Sequence, residues 1–173
     1  MKNNNLRFTN IVTSFIKNGD RILILKRSDK VKSMKCLWAG VSGIIEKNDT
    51  TPLARAKTEI LEETGIGEEE IKLLKANEQI KIEAAQYKNH EWNIFPFLFS
   101  TKNSEIKLNW ENSEFKWIEP NEIKNYETVP ELEKYYSDCC NFFSSFSYLR
   151  CFGSMIYTQA PPHIVHGTLF PGC

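Results

Sequence analysis

Short apolar runs of strand length, separated by polar turns, dominate the first hundred residues of this chain. The run "LRFTNIVTSFIK" at 6–17 is joined to "RILILKR" at 21–27 by the polar turn "NGD", which predicts two paired strands. A third run, "LWAGVSGIIE" at 37–46, is broken by Gly40 and Gly43. This break predicts a short strand that ends in a loop.

The following part of the chain contains four more runs that predict strands. They are "QIKIEAAQY" at 79–87, "EWNIFPFLFS" at 91–100, "EIKLNW" at 105–110 and "EFKWIEP" at 114–120. Pro96 has no N–H group for a sheet ladder, so part of the second of these runs is expected at an edge or a bulge.

Capping residues predict one well-defined helix. Thr51 can cap its first turn, and Pro52 suits the first helical position. Gly65 marks its end, because helices commonly close with a left-handed residue that glycine adopts easily. Shorter helices are predicted after Pro120 and over "VPELEKYY" at 129–136. Strands outnumber helices, which predicts an α+β sheet domain with helices packed on it.

Composition limits the function classes. The chain has 173 residues, the size of one domain, with 22 basic and 22 acidic side chains and no net charge. There is no general basic field for nucleic acid or anionic membrane. The N-terminus is polar, so we do not expect a secretion signal there. There is no long apolar run, so we do not expect a membrane span. Five scattered cysteines predict a reducing, cytoplasmic compartment.

The composition changes abruptly after Lys134. The following residues are rich in Cys and Phe, and their only charged side chains are Asp138 and Arg150. We therefore take residues 1–134 as the domain and residues 135–173 as an appendage of uncertain status. The spacing of its possible zinc ligands fits no usual zinc pattern; they are Cys139, Cys140, Cys151, His163 and His166.

Three acidic residues share one side of the predicted helix. Glu59, Glu62 and Glu63 fall within an arc of roughly 100° near its C-terminal end. Carboxylates there repel one another and oppose the helix dipole, and a Mg²⁺ or Mn²⁺ ion would reverse that cost. A solvated helix face is the alternative explanation of the same spacing.

The residues around these carboxylates resemble the Nudix box, the signature of the Nudix hydrolase family. Gly43 matches its opening glycine, and the segment ends at Ile66. The closing half matches position by position at Glu59, Ile60, Glu62, Glu63, Gly65 and Ile66. The combination of glycine loop, capped helix and this ending is more specific than a Glu-Glu pair alone.

Three departures separate the segment from the family pattern. Thr58 stands in place of the box arginine, and Asp49 stands where the loop glutamate is expected. The loop that follows is also one residue longer. Arg55 lies one helical turn before Glu59 and could replace the missing arginine at i,i+4.

The resemblance implies a fold and an activity. Family members share an αβα sandwich around a mixed β-sheet, and they generally hydrolyse the diphosphate linkage of a nucleoside diphosphate derivative by attack of water at phosphorus. Glu59, Glu62 and Glu63 would then be both catalytic and metal ligands, with Mg²⁺ or Mn²⁺ as cofactor. A further acid from outside the box is expected, with Glu114 and Glu111 as candidates and Glu91 as a weaker one.

Substrate contacts are predicted at Arg27, Gly43 and Arg55. Lys26 ends the same strand as Arg27 and could also reach phosphate. Trp38, Trp92 and Phe95 could stack on a base, although aromatic residues in strands more often belong to the core. The expected partner is a small nucleotide-type substrate, and a homodimer is possible because dimers are common among relatives.

Two other functions compete with hydrolysis. Thr58 and Asp49 fit a Nudix-fold binding or sensor domain that has lost catalysis and binds its ligand without turnover. An isoprenoid diphosphate isomerase of the same fold ranks last, because Cys36 precedes the box without a supporting motif. The box itself does not specify the leaving group.

Overall fold

The computed structural model describes residues 7–83 and 89–140 of the chain. In this part, eight strands form one mixed sheet. The strands are β1 Arg7–Asn18, β2 Arg21–Arg27, β3 Trp38–Ala39, β4 Val41–Ile44, β5 Ile71–Ala76, β6 Ile80–Glu83, β7 His90–Thr101 and β8 Asn112–Ile118.

The sheet is organised around a parallel pair, β1 and β7, which align from Arg7 opposite His90 to Lys17 opposite Ser100. The other strands join antiparallel to their neighbours. β2 pairs with the end of β1, whereas β4 pairs with its middle at 11–14. β2 and β4 therefore share one edge of β1, and β8 lies beyond β2.

Helix α1, Pro52–Thr64, begins and ends as its capping residues predict. Thr51 accepts a hydrogen bond from the Ala54 N–H at 3.0 Å, and Gly65 is left-handed with φ 73° and donates its N–H to the Leu61 carbonyl. Ala56 and Ile60 pack against one face of the sheet. Burying a side chain such as Ile60 contributes about 1.5–3 kcal/mol, which anchors the helix to the sheet.

The opposite face of the sheet is covered by a 3-10 helix, Pro120–Asn125, and by helix α2 over residues 132–140. Ile123, Leu132 and Tyr135 pack there against Phe15 and other core residues. Helices thus lie on both faces of the mixed sheet, and the predicted αβα sandwich is confirmed.

The hydrophobic core on the α2 side of the sheet includes residues beyond Lys134, where the composition changes. Tyr135, Tyr136 and Cys139 are buried in it, and the compact unit extends through Cys140. Residues 135–140 are therefore packed on the sheet with the residues that precede them. Residues 141–173, which include Cys151, His163 and His166, lie outside the described part, as does the 84–87 end of one predicted strand.

Two strand predictions need correction. Residues 105–110 do not pair with the sheet but form irregular chain, and the Lys107 N–H bonds to the Thr64 carbonyl at 2.8 Å. Ile106 and Leu108 are partly buried against the same core as α1. Their alternation therefore comes from irregular chain that packs one side against this core. The sequence pattern also missed strand β5, in which four of six residues are exposed and none is buried.

Pro96 does not place its strand at an edge. β7 is internal, because β1 pairs along one side and β5 and β6 pair along the other. On that second side Pro96 falls between Ile94, opposite β6, and Phe97, opposite β5. The proline is tolerated at the gap between two partner strands. No helix in the described part of the chain is long and apolar enough to cross a membrane.

Candidate active site

The carboxylate of Glu59 lies between the backbone of strand β4 and the guanidinium of Arg55 on its own helix. A Cβ atom on Gly43 would overlap this carboxylate, so only glycine leaves room for it. Arg55, one turn earlier on α1, donates a hydrogen bond to Oε1 of Glu59. Glu59 is only 6% exposed. The predicted i,i+4 contact between Arg55 and Glu59 therefore forms.

Glu63 is held one turn further along α1 by two donors. The Ser42 N–H donates to its Oε1 at 3.1 Å, and Nδ2 of Asn112 donates to its Oε2 at 2.7 Å. Both Glu63 and Asn112 are buried. These bonds fix the carboxylate orientation and tie α1 to β4 and to the start of β8.

A β-bulge aims Asn112 at the helix. The pairing of β2 with β8 shifts register between Lys26, opposite Glu114, and Arg27, opposite Asn112. The extra residue, Ser113, reverses the side-chain alternation of β8 at this point. As a result Asn112 faces α1 beside Arg27, whose guanidinium donates to the Ser33 carbonyl at 3.3 and 3.4 Å. Asn112 lies outside the box, so the box pattern could not identify it as a site residue.

Glu111 is an acid from outside the box that belongs to this group of charges. It interacts electrostatically with both Glu59 and Glu63. Its position is fixed because the Ser28 N–H donates to its carbonyl at 2.7 Å. The sequence offered Glu111 as one of several candidates, and its role stays a prediction.

Burial raises the pKa of both helix carboxyls. The pKa of Glu59 rises to about 7, with the Arg55 charge opposing the rise and Glu62 and Glu111 adding to it. The pKa of Glu63 rises to about 8, mainly by burial, although the hydrogen bonds from Asn112 and Ser42 oppose it. Burial of these two carboxyls therefore favours their protonated forms, and a bound cation would favour the charged forms.

Two of the predicted positions, Glu62 and Thr58, are exposed on α1, whereas Asp49 is half-buried in the loop before it. Glu62 is exposed, and it interacts electrostatically with Arg55 and Glu59. Thr58 is also exposed and donates to the Ala54 carbonyl at 3.2 Å, so it makes only a local helix bond. Asp49 accepts from the Glu46 N–H at 2.6 Å and lies close enough to Arg55 to interact with its charge.

Glu114 lies apart from the box carboxylates. It forms an exposed ion pair with Lys26 at 2.9 Å, and this bond lowers the pKa of Glu114. Nζ of Lys26 lies 5.9 Å from the Trp38 ring, which belongs to the core beneath α2. The Lys26–Glu114 pair is therefore on the opposite sheet face from Glu59 and Glu63.

The remaining candidates are also dispersed. Glu91 pairs with Lys81 at 3.6 Å. Cys36 is exposed and interacts electrostatically with Lys26, on the face opposite the carboxylates. Among the predicted stacking residues, Trp38 is buried in the core, and Trp92 and Phe95 are half-buried.

The donor set suits a hard divalent cation. Its members are carboxylates, whose oxygens are the ligands that Mg²⁺ and Mn²⁺ prefer. Glu59 and Glu63 each have lone pairs beyond those used by Arg55, Ser42 and Asn112. Within the described residues no group of three such side chains is already arranged around a metal position. The chemistry of the donors therefore fits the ion that the resemblance implies.

The family relationship agrees with this geometry. The NUDIX domain family model matches residues 7–139. No curated protein sequence matches the chain. The match spans most of the chain, and the chain belongs to the Nudix family.

Solved structures share the fold at low sequence identity. An Ap4A hydrolase from C. elegans aligns with a TM-score of 0.63 and 16% identity over 81% of this chain and 99% of that one. A MutT protein from Methanosarcina mazei Go1 gives 0.61 and 21% over 83% and 97%. The NUDIX domain of Shewanella oneidensis NrtR, solved with ADP ribose, gives 0.60 and 12% over 79% and 87%.

Replacing Gly43 with alanine is expected to disrupt the site. The added Cβ would push the Glu59 carboxylate from its place and break its bond to Arg55. We expect the melting temperature of Gly43→Ala to fall by several degrees, measured by calorimetry. Gly67→Ala is the control, because there the nearest atoms belong to the exposed side chain of Glu69. Equal melting temperatures for the two variants would contradict this account of Gly43.

The metal-free protein is expected to lose stability as pH rises. Between pH 4.5 and about 8, folded Glu59 and Glu63 keep protons that the unfolded chain has released. The contribution of Glu59 and Glu63 to the free energy of unfolding should therefore be greatest below pH 4.5. It should fall as the pH rises from 4.5 to about 8. Calorimetry in chelator should show the decline, and Glu63→Gln should flatten it. The exposed Glu105→Gln control should keep the wild-type slope; a flat wild-type profile would contradict the prediction.

Proposed function

We propose that this protein is a divalent-metal-dependent hydrolase that cleaves the diphosphate linkage of a nucleoside diphosphate derivative. The observation that carries the proposal is the electrostatic cluster of Glu59, Glu63 and Glu111, which come from two separate parts of the chain. Grouping partly buried like charges is unfavourable without a counter-charge. A bound divalent cation would supply this counter-charge, and it would also attract a polyanionic substrate.

The helix carboxylates are the proposed metal ligands. Glu59 and Glu63 are already oriented by Arg55, Ser42 and Asn112, and exposed Glu62 would complete the set. Bound Mg²⁺ or Mn²⁺ would supply positive charge to the diphosphate oxygens and lower the pKa of a bound water. The contribution of the protein is then mainly positioning and electrostatics.

Glu111 is the proposed general base. The reaction forms a bond between the oxygen of water and one phosphorus atom, and it breaks the bond from that phosphorus to the bridging oxygen. Glu111 accepts the proton that the attacking water loses, and the bridging oxygen leaves with the other phosphate group. The electrostatic interaction of Glu111 with Glu59 and Glu63 supports this role over Glu114, which is paired with Lys26.

Arg55 is the proposed substitute for the arginine that the box lacks. It holds Glu59 by a charge-assisted hydrogen bond from within the same helix, while Thr58 makes only a local bond. Arg27, opposite Asn112 at the same end of the sheet, is the proposed phosphate contact. Gly43 would contribute by letting Glu59 approach β4, and any substrate contact at Gly43 stays a prediction.

A binding domain without turnover is the second candidate function. The observation that favours it is Thr58, since the box arginine is absent and its place faces solvent. The NrtR domain, a fold relative of this chain, was solved with ADP ribose. The isomerase alternative loses support, because Cys36 interacts with Lys26 and not with the carboxylate cluster. The cytoplasmic location and the homodimer stay predictions.

Turnover of a nucleotide panel tests the proposal. The panel would include Ap4A, ADP-ribose and nucleoside triphosphates with Mg²⁺ or Mn²⁺, and added phosphatase would reveal monophosphate products. We expect metal-dependent turnover that Glu62→Gln and Glu63→Gln abolish. Metal-enhanced binding of a panel member without any turnover would favour the binding domain.

The position of the base is tested by two neighbouring acids. Glu111→Gln should lower kcat by about 10²–10⁴-fold, the usual contribution of a general base, and weaken its dependence on pH. Glu114→Gln is the matched control on the other sheet face, and its kcat should stay within a few-fold of wild type. The reverse order of losses would assign the base to Glu114.

Arg55 and Lys57 provide a second matched pair. Arg55→Ala removes the partner of a buried carboxylate, so kcat/KM should fall at least tenfold and the melting temperature should drop. Lys57 pairs instead with Glu68, whose side chain is 70% exposed, and such pairs contribute about 0–1 kcal/mol. Lys57→Ala should be nearly silent in both measurements. Similar small losses in the two variants would refute the role of Arg55.

A further inference from the structure

The chain has four tryptophans, all in the described residues, and Trp110 is the exposed one. Trp38 is buried in the core, whereas Trp92 and Trp117 are half-buried. The indole of Trp110 is 62% exposed. Exposure alone does not single out Trp110, because Phe8 is 65% exposed, so its location must indicate what it could contact.

Trp110 is adjacent in sequence to two residues that interact with the helix carboxylates. It precedes Glu111, which interacts with Glu59 and Glu63, and it lies two residues before Asn112, which bonds to Glu63. Its Cα is therefore about 3.8 Å from that of Glu111 and within roughly 7 Å of that of Asn112. The exposed indole is therefore carried by backbone at the rim of the site.

The turn that carries Trp110 is held on both sides. The Asn112 N–H bonds to the Asn109 carbonyl at 3.4 Å, and the Glu111 N–H bonds to Oδ1 of Asn109 at 3.0 Å. After the turn, the Ser28 N–H donates to the Glu111 carbonyl at 2.7 Å. A fixed backbone limits the entropy lost when the indole makes a contact.

We propose that Trp110 is a base-stacking platform that binds the nucleobase of the substrate whose diphosphate lies at the carboxylate cluster. This inference rests on the proposed function for the position of the phosphates. The cluster and its metal recognise phosphate alone, so a flat aromatic surface at the rim adds selectivity for a nucleotide over other diphosphates. Stacking tolerates any base, because every base presents a π-face. Trp110 thus selects the nucleotide class and not one particular base.

A pair of non-hydrolysable ligands separates base from phosphate recognition. α,β-Methylene-ADP and methylenediphosphonate share the two phosphorus centres, and only the first carries a nucleoside. Calorimetric titration with Mg²⁺ should show that Trp110→Ala weakens α,β-methylene-ADP about 5- to 100-fold and leaves methylenediphosphonate unchanged. Trp110→Phe keeps a ring and should retain most of the affinity. Phe8→Ala removes another exposed aromatic, at 65% exposure on β1, and should match wild type.

Fluorescence provides an independent signal. α,β-Methylene-ADP should quench the tryptophan emission of the wild type, and Trp110→Phe should lose that quenching while it still binds. Equal weakening of both ligands by Trp110→Ala, unchanged affinity for both, or a wild type that does not bind α,β-methylene-ADP would overturn the inference. Binding that depends on Trp110 without turnover of any panel nucleotide would refute the hydrolase proposal and leave the stacking platform in place.

Discussion

The contact between the Glu59 carboxylate and the backbone at Gly43 is the constraint on which the rest of the site depends. It brings α1 so close to β4 that no side chain fits at Gly43. The carboxylate then loses water, and Arg55 compensates from the preceding turn. The same close approach lets the Ser42 N–H reach Glu63. A single glycine thus makes the difference between a solvated acidic helix and a partly dry carboxylate site.

The second part of the site comes from a segment that crosses the end of the helix. The Lys107 N–H bonds to the Thr64 carbonyl, and Ile106 and Leu108 pack against the same core as α1. This segment leads into the turn that carries Glu111, and the bulge at Ser113 aims Asn112 at Glu63. The acid outside the box is therefore positioned by packing at the helix end and by one extra strand residue.

The contrast between α1 and β8 explains which features the sequence could predict. The caps, the apolar stripe and the glutamates of α1 depend on residues within one helix, so their spacing predicted the helix and its acidic face. The choice between Glu111 and Glu114 depends on which sheet face each side chain occupies, and a bulge reverses that face. The irregular 105–110 segment was predicted as a strand because chain that packs one side against a core alternates in the same way. The Arg55–Glu59 contact could be anticipated because it is an i,i+4 pair.

Binding of Mn²⁺ tests the central claim most directly, because the claim is that the helix carboxylates Glu59, Glu62 and Glu63 hold one divalent cation. Paramagnetic titration of the protein would give the affinity of the wild type, Glu62→Gln, Glu63→Gln and Glu114→Gln. We expect saturable binding to the wild type, at least tenfold weaker binding to the first two variants, and unchanged binding to Glu114→Gln. Equal affinity in all four proteins, or weakening only in Glu114→Gln, would contradict the claim.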